Sequence, residues 1–108
     1  MQTIAENDTP FACDMSALNK EQRVRVLDLL AELKAKRQEI MELPDGFSFR
    51  YEMDSDAFLN AAEFITLERL CCPFFEFGLN VEKENGAMWL RLTGRDGVKD
   101  FIRIEFDF

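Results

Sequence analysis

The chain contains no histidine. That removes Ser-His and Cys-His nucleophile activation, imidazole acid–base chemistry and every metal site that needs an imidazole ligand. Basic residues are few: 13 Lys and Arg stand against 21 Asp and Glu, a formal net charge of −8 at pH 7. An acidic surface repels phosphate backbones, so no nucleic-acid partner is expected. No apolar run approaches the roughly 20 residues that span a bilayer, so no membrane partner is expected either. Met1 to Asp8 lacks the basic flank and apolar stretch of a signal peptide. There are only three cysteines, an odd number that leaves at least one without an intrachain partner. These features together point to a cytoplasmic protein. Tryptophan and tyrosine occur once each against eleven phenylalanines, so the core is built largely from phenyl rings.

The 108 residues suffice for one domain and not two. Residues 1–12 are polar and aperiodic and read as a flexible N-terminal segment, leaving 13–108 as the domain. Asn19 with Gln22 three positions on forms a capping box. Val26, Leu30, Leu33, Arg37 and Ile40 then recur at helical spacing, which predicts a helix of about six turns ended by Pro44-Asp45-Gly46. Lys34, Lys36 and Arg37 read as its solvated face.

Phe47, Phe49 and Tyr51 alternate with polar residues as a half-buried strand does. Asp54 or Ser55 caps a second helix that Pro73 stops after Cys71. Phe75 to Val81 and Met88 to Leu92 alternate as two further strands around an Asn85-Gly86 turn. Val98, Phe101, Ile102 and Glu105 fit a closing helix, although Arg103 to Phe108 also alternate as a strand would. The expected fold is a two-layer α+β domain in the order α-β-α-β-β-α, a three-stranded sheet with helices on one face. Its open edges and thin core suggest a homodimer.

Glu68-Arg69-Leu70-Cys71-Cys72-Pro73-Phe74-Phe75-Glu76-Phe77 and Leu90-Arg91-Leu92-Thr93-Gly94-Arg95-Asp96-Gly97-Val98-Lys99 carry a resemblance. The chain resembles a family of small uncharacterised bacterial proteins that have an E-R-x-C-C-P-F-x-x-F block followed by an L-R-L-T-G-x-x-G-V-K block. The likeness spans most of residues 13–104 and includes Asp45 to Arg50. It implies a common fold and directs attention to Cys71-Cys72, and it assigns neither residue a role.

Chemically, the cysteine pair is the one lead. Cys71 falls in the last helical turn and Cys72 in the kink before Pro73, so the two sulfurs can converge on one ion. A disulfide between such neighbours would be strained. Cys13, just before the first helix, can fold back as a third thiolate. An all-sulfur set favours thiophilic ions such as Cu(I), Hg(II) or As(III), or Zn with one open position. Glu68 and Arg69 are candidates to support the sulfurs from behind, Glu68 as a proton donor beside the thiols and Arg69 as a thiolate stabiliser. The plainer alternative is an acidic interaction or dimerisation module, in which the cysteines only fill space among Phe74, Phe75 and Phe77. A thiol-dependent enzyme ranks third.

Overall fold

The computed structural model of the chain describes residues 11–108. The N-terminal segment 1–12 therefore lies outside the described residues except for Phe11 and Ala12. A short 3-10 turn, Met15–Ala17, leads into helix α1, Lys20–Lys36. The capping box forms as expected: Asn19 Oδ1 accepts from the Gln22 amide and Gln22 Oε1 accepts from the Asn19 amide. Val26, Leu29 and Leu33 are the residues this helix buries.

Helix α1 is shorter than the spacing predicts. Arg37 already has extended backbone angles, and Glu39–Leu43 form strand β1. Ile40 satisfies a helical stripe and a strand alternation equally well, so periodicity cannot separate them here. Tertiary pairing decides the matter. The Gln38 amide donates to the Arg50 carbonyl, and β1 then pairs antiparallel with strand β2, Gly46–Tyr51. Pro44-Asp45 is thus the two-residue turn of a hairpin and not the stop of a helix. Gly46 is needed there, because a Cβ would overlap the Leu92 carbonyl of the neighbouring strand. Arg37 is also not solvated surface. Its guanidinium donates to the Phe106 and Asp107 carbonyls and lies over the Phe108 ring.

Helix α2 is Ser55–Cys71, with the Asp54 side chain accepting from the Ala57 amide at its start. Strands β3, Glu76–Val81, and β4, Met88–Thr93, follow, and helix α3, Val98–Phe106, closes the chain. The helical alternative for the last segment holds: Val98, Ile102 and Phe106 are its buried stripe. The sheet has four strands, not three, in the order β1-β2-β4-β3, every neighbouring pair antiparallel. The extra strand is the stretch that helical periodicity had claimed. β2 and β3 run parallel through α2, with β4 inserted between them.

Phe47, Phe49 and Tyr51 on β2 and Met88, Leu90 and Leu92 on β4 share one core with the buried stripes of all three helices. Phe106 stacks on Phe49 with ring centroids 4.6 Å apart, and the edge of Phe64 from α2 closes the layer. Strand alternation sends Met41, Ser48, Trp89 and Arg91 to the opposite face. The fold thus brings the end of α2, the inner face of α3 and the N-terminal segment to one corner.

Candidate metal and thiol centre

Pro73 has the effect its chemistry dictates. Helix α2 stops at Cys71, and Cys72 takes a non-helical conformation while its amide still donates to the Glu68 carbonyl at 2.7 Å. This kink turns the Cys72 side chain back beside its neighbour, so the two sulfurs lie 3.9 Å apart. Both residues are buried, Cys71 at 1% and Cys72 at 0% relative exposure. Convergence is as expected; open access is not.

The N-terminal segment is held against this helix end. The Asp14 amide donates to the Cys71 carbonyl at 2.7 Å, and the Phe11 ring packs edge-on against Phe74 at 5.1 Å. Arg95 lies over the other side of Phe11, 4.2 Å from its centroid. Cys13, between these anchors, reaches Cys72 and forms a disulfide across 59 residues of sequence. The bond therefore joins distant cysteines and avoids the strained bridge between neighbours. Cys71 remains a free thiol. It sits 3.6 Å from both the carbonyl and the Oε1 of Glu68. Burial first, and the Glu68 carboxyl next, push the Cys71 thiol up to about 12. It therefore stays protonated beside the disulfide and is a poor nucleophile toward it.

Two acids line the same corner. Glu68 is 2% exposed, on the inner face of α2. Glu105 comes from α3, where its Oε2 lies 3.6 Å from Cys13 Sγ. The two carboxyls meet away from water, which favours one of them carrying a proton. Glu68 Oε2 and Glu105 Oε1 are otherwise buried without a donor, and a proton held between the carboxyls accounts for both. Desolvation raises both groups, Glu105 to about 9, with the Glu68 hydrogen bond and charge as further causes. Lys34 acts on Glu105 in the opposite sense and does not overcome burial.

The ligand atoms of Cys13, Glu68, Cys71 and Cys72 all lie within 4.8 Å of one another. The structure thus assembles all three cysteines and Glu68, and it places Glu68 directly against a sulfur instead of one shell further out. Arg69 is exposed. The sequence reading missed Glu105 as a member of the site. Its signal was present: an acidic residue in register with the apolar stripe of a short helix.

Comparison with known proteins leaves the reading to this geometry. No family model, no curated protein and no solved structure matches the chain. Among the described residues, no helix is long and apolar enough to cross a membrane.

Proposed function

We propose that the reduced protein binds a thiophilic metal or metalloid ion through Cys13, Cys71 and Cys72, with Glu68 available as a fourth, oxygen ligand. The convergence of these four donors within 4.8 Å is the observation that carries this reading. A tetrahedral ion with bonds of about 2.3 Å to sulfur needs sulfur separations of roughly 4 Å. Cys71 and Cys72 already have that spacing, at 3.9 Å. Reduction of the Cys13–Cys72 bond lets those two sulfurs separate to the same distance. Three sulfurs and no imidazole suit As(III), Hg(II) or Cu(I), and a carboxylate in the fourth position suits Zn. The buried, cation-poor corner favours this outcome. Two neighbouring acids whose burial Lys34 does not offset gain most from an ion that brings charge into the site. The disulfide state is then the closed form of the site.

Anaerobic titration of the reduced protein with phenylarsine oxide, Cd(II) or Zn(II) tests this. One equivalent per chain is expected, with sulfur-to-metal charge-transfer absorbance for Cd(II). Cys71→Ser and Cys72→Ser should each weaken binding by about tenfold or more, and Glu68→Gln by less. Reduced, folded protein that takes up none of these ions, or binding indifferent to every cysteine substitution, would overturn the reading.

One observation favours the interaction module as a second reading. Val24 and Leu27, one turn apart on α1, are 57% and 56% exposed and lie outside the core stripe. Sedimentation of wild type beside Val24→Ser/Leu27→Ser decides it: a concentration-dependent dimer lost in the variant supports the module, and a monomer throughout rejects a homodimer through this stripe.

A further inference from the structure

We propose that the Cys13–Cys72 disulfide accepts two electrons from small neutral or cationic thiols, Cys13 being the sulfur attacked and Cys72 the sulfur displaced. This concerns the oxidised, metal-free protein and does not rest on ion binding. Access selects the point of attack. Cys72 is fully buried, and Cys71 is nearly so. Cys13 alone is half-buried, between exposed Ala12 and exposed Asp14 on the N-terminal segment. An outside thiolate that meets this sulfur along the S–S axis expels Cys72, since exchange proceeds by attack on one sulfur and departure of the other.

The surroundings keep the displaced sulfur in place. Cys72 is fixed at the end of α2 by its amide bond to the Glu68 carbonyl, and 3.9 Å from Cys71. It therefore stays poised to re-form the bond, whereas Cys13 belongs to a segment held by the Asp14 amide and the Phe11 ring. Charge selects the partner. Beside Cys13 lie its neighbour Asp14 and the Glu68–Glu105 pair, which has one proton for two carboxyls, in a chain of net charge −8. Arg95, over the Phe11 ring, is a cation on this side, and the net charge of the chain outweighs it. A thiol with its own carboxylate is repelled, and one with an ammonium group is attracted.

The electrons and atoms balance in two exchanges. The first thiol RSH loses its proton, its sulfur bonds to Cys13, the S–S bond breaks, and the proton ends on Cys72. A second RSH attacks the R sulfur of that mixed disulfide, which gives RSSR and returns Cys13 as a thiol. Two thiols are oxidised and one protein disulfide is reduced. A low-molecular-weight disulfide drives the same steps backwards and restores the bond.

The test uses the oxidised full-length protein with chelator present throughout. Cysteamine, 2-mercaptoethanol and 3-mercaptopropionate are added separately, and acid-quenched samples are mapped by peptide mass spectrometry. The first mixed disulfide should lie on Cys13. At low ionic strength cysteamine should react, per thiolate present, on the order of tenfold faster than 3-mercaptopropionate, with the gap closing in high salt. Cys72→Ser treated with cystamine should trap the mixed disulfide on Cys13. Should that variant not fold, the quenched wild-type samples suffice. A first adduct on Cys72, a bond that resists thiols until denaturant is added, or faster reaction of the anionic thiol would overturn the proposal. Failure here leaves the metal titration of the reduced protein unaffected, and the converse also holds.

Discussion

Helix α2 carries two glutamates five positions apart, Glu63 and Glu68, and the protein treats them in opposite ways. Glu63 faces α1 at the surface, where Arg25 holds it in a fork: Nε donates to both carboxylate oxygens at 3.0 Å and Nη2 to Oε1 at 2.8 Å. That guanidinium holds Glu63 below its ordinary range. Glu68 points into the domain, finds a second acid and a thiol, and is raised by burial. The two carboxyls are thus kept by different means, one by a cation in water and the other by a proton away from it. The middle of α2 is tied to the fold by an exposed ion pair. Its C-terminal end is tied by a disulfide, a shared proton and phenyl packing.

The largest effect comes from cutting the C-terminal tie. A covalent link across 59 residues restrains the unfolded chain by about 4 kcal/mol on the chain-entropy account. Cys13→Ser, or reduction of wild type without added metal, should lower the unfolding free energy by roughly that amount. Urea denaturation followed by circular dichroism measures it. An unchanged midpoint would mean that the Phe11 packing and the Asp14–Cys71 backbone bond already hold the N-terminal segment.

The second effect sharpens the contrast between cation and proton. In the oxidised protein the native state keeps a proton on the Glu68–Glu105 pair that the unfolded chain releases above the ordinary carboxylate range. Stability from this source is complete below that range and is lost as pH rises through the folded value, about 9 for Glu105. Between pH 6 and 8 the loss should be about 3 kcal/mol, since one fully linked proton is worth about 1.4 kcal/mol per pH unit. Glu105→Gln removes one titrating group but leaves Glu68, itself raised by burial, so the slope over this window should largely disappear only in Glu68→Gln/Glu105→Gln. Denaturation curves at stepped pH for wild type and the double variant are the measurement, and an equally steep slope in the double variant would refute a proton held on the pair.

Much of this contrast was legible before any coordinates. Asn19 and Asp54 marked the helix starts, Pro73 marked the end of α2, and the alternation in 47–52 and 88–92 marked two strands. Local chemistry sufficed because each signal acts within a few residues. Glu39–Leu43 was not legible, because Ile40 obeys both periods and its strand pairing depends on Arg50 and Phe49 across the turn. The meeting of Cys71 with Cys72 was readable from the proline kink. The bond from Cys13 and the approach of Glu105 were not, since both need α3 and the N-terminal segment to dock on the end of α2. Sequence spacing carries no information about that docking.

The smallest effect lies at the exposed ion pair midway along α2, and its sign is the reverse of the buried pair. Glu63 is lowered in the native state, so its contribution is present above the ordinary carboxylate range and lost as pH falls through the folded value. Both partners are largely solvated, and the pair competes with water and salt. Glu63→Gln should therefore lower the urea midpoint only slightly at neutral pH in dilute buffer. In about 1 M salt, where screening acts over roughly 3 Å, the difference from wild type should vanish. Arg25→Ala goes further, since Arg25 Nη2 also donates to Asn60 Oδ1, whose amide in turn donates to Glu32. A salt-resistant deficit in Arg25→Ala but not in Glu63→Gln would assign the hold of α1 on α2 to that amide chain and not to the charge pair.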